Sequence, residues 1–166
     1  PAANLAPLHD PFQFAKMQEF NNYLCSTVHV NHAHKMRGSR WVEEDDEHSK
    51  AAMTAKVPRT MHDSFSLIEN DMFFGPWVLG NDFSICDCYL FCISNWLAGD
   101  KVDMKDFSKI YEHHLRMRDR PAVQKVMEVG IIHHILAAAG LSHVQPYHDV
   151  LQKLRLSDGS LTEATL

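Results

Sequence analysis

The residues with the clearest chemical potential form a polar stripe near the start of the chain. Asn22, Ser26 and His29 are spaced four and three residues apart, which places all three on one face of a helix. An amide and a hydroxyl can bind a polar ligand, and an imidazole can take up or release a proton near neutral pH. The stripe therefore indicates a ligand-binding face. The alternative is a face that meets only water, because most polar helix faces are simply solvated.

Three histidines in an H-x-x-H-x-H pattern form a second cluster. His29 and His32 are close enough on a helix to share a metal ion, and His34 follows them. No carboxylate or cysteine is spaced to complete such a site, so we predict no bound metal. A histidine-rich metal-binding bundle remains an alternative. The basic residues Lys35, Arg37 and Arg40 come next. They could meet the carboxylates of a ligand or a partner subunit, or form a solvated helix end, where positive charge suits the dipole.

The cysteines do not show a metal or redox spacing. Three of the four lie within one short segment with helix signals, and no secretory signal precedes them in this sequence. We expect reduced thiols in a cytoplasmic protein, and we expect the three clustered thiols to pack in the core. The four residues are Cys25, Cys86, Cys88 and Cys92.

Two pairs of adjacent histidines occur later in the chain. Neighbouring residues of a helix point to different sides, so we expect most of these side chains to be exposed. The pairs are His113-His114 and His133-His134.

Composition restricts the classes of partner. The chain has 166 residues, 45% hydrophobic and 22% charged, with a formal net charge of −5. This length and composition predict one globular domain with at most a small appendage. An acidic balance disfavours nucleic acid and anionic membranes, and no apolar run reaches the roughly 20 residues that span a bilayer. A small molecule or another protein is the expected partner.

Helix signals account for most of the first 128 residues. Asp10-Pro11 predicts the start of a long amphipathic helix that ends near Gly38. The acidic run at 43–47 predicts the start of a second long helix, which Pro58 should bend or split. Ser84 and Asp87 form a structural capping box for a third helix, to about Leu97.

The later part of the chain continues the helical pattern. Apolar spacing predicts a fourth helix over about 106–118, a short fifth over 121–127 and a further one over 129–139. No convincing period-two strand is present. We predict an all-α bundle of about five to seven helices.

Two motifs carry a resemblance to a known family. The segment Leu79-Gly80-Asn81-Asp82-Phe83-Ser84-Ile85-Cys86-Asp87 and the later Arg120-Pro121-Ala122-Val123-Gln124 resemble the C-terminal helical domain of glutathione S-transferases. The first helix is most similar to the bacterial beta class. The resemblance implies the end of an interdomain linker at 1–9, the helical domain at 10–128, and a C-terminal helical extension and tail at 129–166.

The resemblance also implies an activity and a set of residues. These transferases bind glutathione with an N-terminal thioredoxin-like domain, which is absent from this chain, so the chain alone should be inactive. By resemblance, Asn22, Ser26 and His29 contact the co-substrate glutathione, with His29 catalytic. Trp41 forms a wall of the pocket for a small electrophile, whereas helical spacing places Trp96 in the core. A lysine often follows this histidine in the beta class, and here the residue is Val30.

A homodimer and a role in detoxification are further expectations from the family. The alternative function is a non-catalytic interaction module, because helical domains of this type also serve as docking units in translation factors and synthetase complexes.

Overall fold

The computed structural model describes residues 4–128, and in this part of the chain it is helical. The chain divides into two units, Pro1–Arg118 and Asp119–Leu166. In the second unit, residues 121–128 form a helix, which agrees with the predicted fifth helix. The helix predicted over 129–139 lies outside the described residues. Among residues 4–128 no helix is long and apolar enough to cross a membrane. The main helices of the first unit are α1 (Pro11–Tyr23), α2 (His29–Ala33), α3 (Glu47–Leu67), α4 (Ile85–Ser94) and α5 (Ser108–Arg118).

The predicted first helix is present, with a wider turn inside it. The Asp10 carboxylate accepts hydrogen bonds from the Phe12 and Gln13 amides at 3.0 and 3.1 Å, which fixes the start of α1. A π-helical turn, Leu24–Val28, then joins α1 to α2 without a break. The apolar face of this continuous segment is buried through Met17, Phe20, Leu24 and Val28.

The second long helix, α3, begins at the predicted acidic run and is not split by proline. The Asp46 carboxylate accepts from the Ser49 amide at 2.9 Å, and α3 then runs through Pro58 to Leu67. Its buried residues are Val57, Met61, Ser64 and Phe65. A second π-helical turn, Ile68–Met72, follows it.

A buried glutamate in that second π-helical turn caps a distant helix. Glu69 accepts hydrogen bonds from the Lys109 amide at 2.9 Å, the Ile110 amide at 3.1 Å and the Ser108 hydroxyl at 3.2 Å. A carboxylate at a helix start satisfies free amides and complements the helix dipole. The start of α5 is therefore fixed to the end of α3 by contacts some 40 residues apart in sequence.

The capping box of α4 is present, and its carboxylate also has partners outside the Ser84–Asp87 segment. The Ser84 hydroxyl accepts from the Cys86 amide at 3.2 Å, and the Asp87 carboxylate accepts from the Ser84 amide at 2.7 Å. Asp87 also accepts from the Val78 amide at 2.9 Å and lies 3.1 Å from His113 Nε2 on α5. Both Asp87 and His113 are fully buried. One carboxylate thus joins a loop, the start of α4 and α5.

The exposure expected for the first histidine pair is wrong. His113 and His114 are both buried. His113 binds Asp87, while His114 packs on the Phe91 ring at 4.9 Å and lies 3.2 Å from the Ser94 hydroxyl. Each imidazole thus has one polar partner on α4, whereas His113 Nδ1 is buried with no hydrogen-bond partner within residues 4–128. The second pair, His133 and His134, lies outside the described residues.

Removing the Asp87 carboxylate should destabilise the domain more than removing the Ser84 hydroxyl. Ser84→Ala should cost about 1 kcal/mol, the usual value for a lost N-cap. Asp87→Ala should cost about 3 kcal/mol, because it leaves several buried donors without an acceptor. Urea unfolding followed by circular dichroism measures both values. Asp82→Ala, in the exposed loop nearby, is the control and should change stability by less than about 0.5 kcal/mol. Equal small losses for all three variants would refute a structural capping box.

His114 should make folding stability depend on pH. Burial lowers the pKa of His114 below its ordinary value of 6.5, and Coulombic interactions with Arg118 and His113 lower it further. The folded state therefore favours the neutral ring. The stabilisation is fully present above about pH 6.5 and is lost as the pH falls through the lower folded-state pKa. Proton NMR titration should give a midpoint for His114 below 6.5. In His114→Gln, urea unfolding should show a smaller loss of stability on acidification, and a midpoint at or above 6.5 would contradict the argument.

Candidate functional site

A cleft of about 450 Å³ opens beside the end of the first helical segment. Its size is within the range of small-molecule sites. The π-helical turn and α2 form one wall, the chain that follows α2 supplies basic and aromatic residues, and Trp96 enters from the turns after α4. The lining residues are Cys25, His29, Val30, His32, Ala33, Met36, Arg37, Arg40, Trp41 and Trp96.

The centre of the wall is an indole flanked by two imidazoles. His32 stacks on the Trp96 ring with centroids 4.4 Å apart and planes 22° from parallel. His29 meets the same indole edge-on at 5.0 Å. Trp96 packs against the core, as predicted, and its ring also lines the cleft. Both histidines are therefore in contact with the same aromatic ring.

A buried carboxylate behind this wall holds His32. The Asp100 side chain is 0% exposed, and its Oδ2 lies 2.7 Å from His32 Nδ1. Its other oxygen lies 3.4 Å from Lys35 Nζ, and the same ammonium donates to the Gly99 carbonyl. Lys101, with a φ of 61°, adopts the left-handed conformation that often ends a helix, and the Val102 amide reaches back to the Leu97 carbonyl at 3.0 Å. This helix-ending turn brings Asp100 underneath His32.

Among the residues that the structure describes, the cleft wall carries positive charge and no carboxylate. Arg37 and Arg40 line it, and neither guanidinium has a hydrogen-bond or ion-pair partner within residues 4–128. Asp100 lies behind His32 rather than on the surface of the cleft. Such a wall favours ligands that are anionic or that develop negative charge.

The structure unites some of the predicted site residues and separates others. His29 and Trp41 line the same cleft. Asn22 and Ser26 lie on the same helical segment, both exposed, but they are not part of the cleft wall. The Ser26 hydroxyl donates to the Asn22 carbonyl at 2.7 Å, which confirms that these two residues are neighbours along the helix surface.

Comparison with known proteins identifies the family. Residues 12–121 match the family described as "Glutathione S-transferase, C-terminal domain". The chain belongs to this family.

Several proteins to which this glutathione S-transferase domain is similar are bacterial. A glutathione transferase homologue from Sulfitobacter, solved with bound glutathione, is 46% identical with a TM-score of 0.75, and the match covers 78% of this chain and 61% of that one. GstA of Escherichia coli O157:H7 is 24% identical over 74% of this chain and 56% of its own length. A glutathione S-transferase from Xylella fastidiosa shares the fold, with a TM-score of 0.66 at 18% identity over 78% of this chain and 62% of that one. The domain thus spans about three fifths of these relatives' length.

Sequence reasoning did not identify the parts that three residues play in forming this cleft. His32 stood out as a possible metal ligand, Trp96 as a core residue, and Asp100 not at all. His32 and Asp100 are 68 residues apart, so no local pattern connects them. In the part of the chain that the structure describes, no three His, Cys, Asp or Glu side chains are grouped to hold a metal ion.

The cysteines are less buried than expected. Only Cys86 is buried, whereas Cys25, Cys88 and Cys92 are exposed. The prediction of core thiols is therefore right for Cys86 and wrong for Cys88 and Cys92, because those two lie on the exposed side of α4. Burial raises the pKa of the Cys86 thiol to about 11, and its Sγ lies 3.7 Å from the Met17 carbonyl.

The thiols should consequently react in two classes. With 5,5′-dithiobis(2-nitrobenzoate), the three exposed thiols should react in the folded protein, and the buried one should react only after unfolding. Absorbance of the released thiolate counts both classes. Cys86→Ser is the matched control, and it should remove the slow class and leave the fast class unchanged. Rapid reaction of Cys86 in the folded wild type would show that it is accessible.

Proposed function

We propose that this chain is the helical half of a transferase that conjugates the thiol of glutathione to a small electrophile. The single observation that carries the proposal is the cleft in which His29 and Trp41, two residues singled out by the family resemblance, lie together. The reaction is nucleophilic: the glutathione thiolate attacks an electrophilic atom of a molecule held against the aromatic wall.

Glutathione would lie along the polar residues that lead into the cleft. Asn22 and Ser26 offer exposed hydrogen-bonding groups about two turns and one turn before His29, respectively. His29 is the proposed catalytic residue, because a neutral imidazole can accept the thiol proton and an imidazolium can stabilise the thiolate. The guanidinium groups of Arg37 and Arg40, which line the cleft, could pair with the glutathione carboxylates. Val30 cannot supply the positive charge that a lysine gives at this position in the beta class.

The other half of the active site would come from a thioredoxin-like domain. The relatives are longer than this chain, and the family places the main glutathione site in that domain. We therefore propose that residues 1–9 end an interdomain linker and that 10–128 form the helical domain. Residues 129–166 would form an extension, and this chain alone would have little conjugating activity. A cytoplasmic homodimer that acts in detoxification completes the proposal.

Calorimetry with glutathione tests the proposal. The protein expressed from the complete coding sequence of its gene should bind glutathione and conjugate it, and the 166-residue chain should bind it more weakly. His29→Ala should weaken binding by about tenfold, the effect of one lost hydrogen bond of about 1.4 kcal/mol. The matched control is His48→Ala, an exposed histidine at the start of α3 outside the cleft, which should bind as the wild type does.

Two results would overturn the proposal. If neither the complete protein nor the 166-residue chain binds glutathione, a non-catalytic docking module is favoured. Binding that His29→Ala leaves unchanged would remove His29 from the glutathione site and leave the cleft without its proposed thiol contact.

A further inference from the structure

Contacts between the first helical segment and α4 follow a nearly constant offset in sequence. Near the start of both elements, Cys86 Sγ lies 3.7 Å from the Met17 carbonyl, across 69 residues. Near their ends, the rings of His29 and Trp96 meet at 5.0 Å, across 67 residues. Later residues of one element meet later residues of the other, so the two elements run side by side in the same direction.

Two exposed cysteines lie on these facing elements at the same offset. Cys25 and Cys92 are 67 residues apart, and each lies four residues before a member of the contact between His29 and Trp96. Residues four apart on a helix share a face, so the two thiols lie one turn before that ring contact, on the same edge of the interface. Both cysteine side chains are exposed.

Tyr89 on α4 lies beside both thiols. Burial raises the pKa of the Tyr89 hydroxyl above its ordinary value of 10, and Coulombic interaction with Cys25 and Cys92 raises it further. Cys25 also forms a hydrogen bond with Tyr89. This bond brings Cys25 to the side of α4 that carries Cys92, because residues three apart on a helix share a face.

We propose that Cys25 and Cys92 are a modification site, a pair of thiols that a small disulfide, glutathione disulfide, oxidises to an intramolecular disulfide bond. The inference goes beyond the proposed function and does not depend on it, because this exchange needs no electrophile and no second domain. Disulfides in cytosolic proteins are usually transient and redox-sensing, and an exposed pair of thiols suits that use.

The oxidation consists of two thiol–disulfide exchanges. Cys25 lines the cleft with Arg37 and Arg40, which suit the carboxylates of the oxidant, so its thiolate attacks first. The attack forms a disulfide between Cys25 and glutathione and expels one glutathione thiolate. The Cys92 thiolate then attacks the Cys25 sulfur and expels the second. The two cysteines lose two electrons to the oxidant and two protons to the expelled thiolates, which leave as two molecules of glutathione.

Mass spectrometry of the 166-residue chain tests the pairing. One molar equivalent of glutathione disulfide should remove two hydrogen atoms from the reduced protein and leave no glutathione attached. After the remaining thiols are blocked, trypsin should release residues 17–35, which contain Cys25, linked to residues 60–101, which contain Cys92. Non-reducing electrophoresis should show a monomer. A linked dimer, or attached glutathione without a link between the two peptides, would overturn the inference.

Cys88 provides a matched control on the same helix. It is exposed like Cys92 but lies 63 residues from Cys25, outside the offset of the facing elements. Cys88→Ser should therefore form the same link as the wild type, whereas Cys92→Ser should form none and should keep glutathione on Cys25. Circular dichroism checks that both variants are folded. A link that persists in Cys92→Ser and disappears in Cys88→Ser would assign the wrong partner to Cys25.

Dilution of a glutathione buffer identifies the product without any variant. An intramolecular disulfide releases two molecules of glutathione, so the ratio of oxidised to reduced protein follows [GSSG]/[GSH]². Tenfold dilution of both forms should raise this ratio about tenfold. A disulfide with glutathione releases one molecule, so an unchanged ratio would overturn the inference. Either result leaves the proposed conjugation standing, and loss of conjugation in the complete protein would leave the thiol pair standing.

Discussion

The buried carboxylate of Asp87 is the contact on which the arrangement of the domain depends. It accepts hydrogen bonds from the loop at Val78 and from the start of α4, and it pairs with His113 on α5. A buried charge is tolerated only when its lone pairs are used, so these three elements cannot shift independently. The turns after α4 carry Trp96 and Asp100, so the position of α4 determines where the cleft wall lies.

At three places in the domain, a carboxylate with little exposure joins segments that are distant in sequence. Glu69 joins the end of α3 to the start of α5, Asp87 joins α4 to α5, and Asp100 joins the end of α4 to α2. In each case a carboxylate with little or no exposure accepts hydrogen bonds from a segment far away in sequence. Apolar packing supplies most of the stabilisation of such a bundle, but it is not directional. The carboxylates add the directional contacts that fix which helix ends meet.

The sequence predicted what depends on local physics and missed what depends on distant partners. The start of α1 at Asp10 and the capping box at Ser84 are encoded within a few residues, and both are present. The burial of His113 and His114 depends on polar partners 26 and 20 residues away, respectively, so adjacent spacing alone predicted exposure and was wrong. The cleft was predicted only in part, through His29 and Trp41. Asp100 could not be connected to His32, because a single sequence gives no information on contacts across 68 residues.

The π-helical turn at Leu24–Val28 divides the first helical segment into two parts. The side chains of the second part point in different directions around the helix axis from those that an uninterrupted α-helix would give them. The His29 amide bonds to the Leu24 carbonyl, five residues back rather than four, so the turn holds one residue more than an α-helix would. One residue corresponds to about 100° of rotation about the helix axis. The orientation of the first part is set by its buried residues Met17 and Phe20. In the second part, the extra residue turns His29 and His32 toward the cleft. A deletion of a single residue in this turn would restore a regular helix and rotate both histidines away from Trp96, with the core upstream left in place.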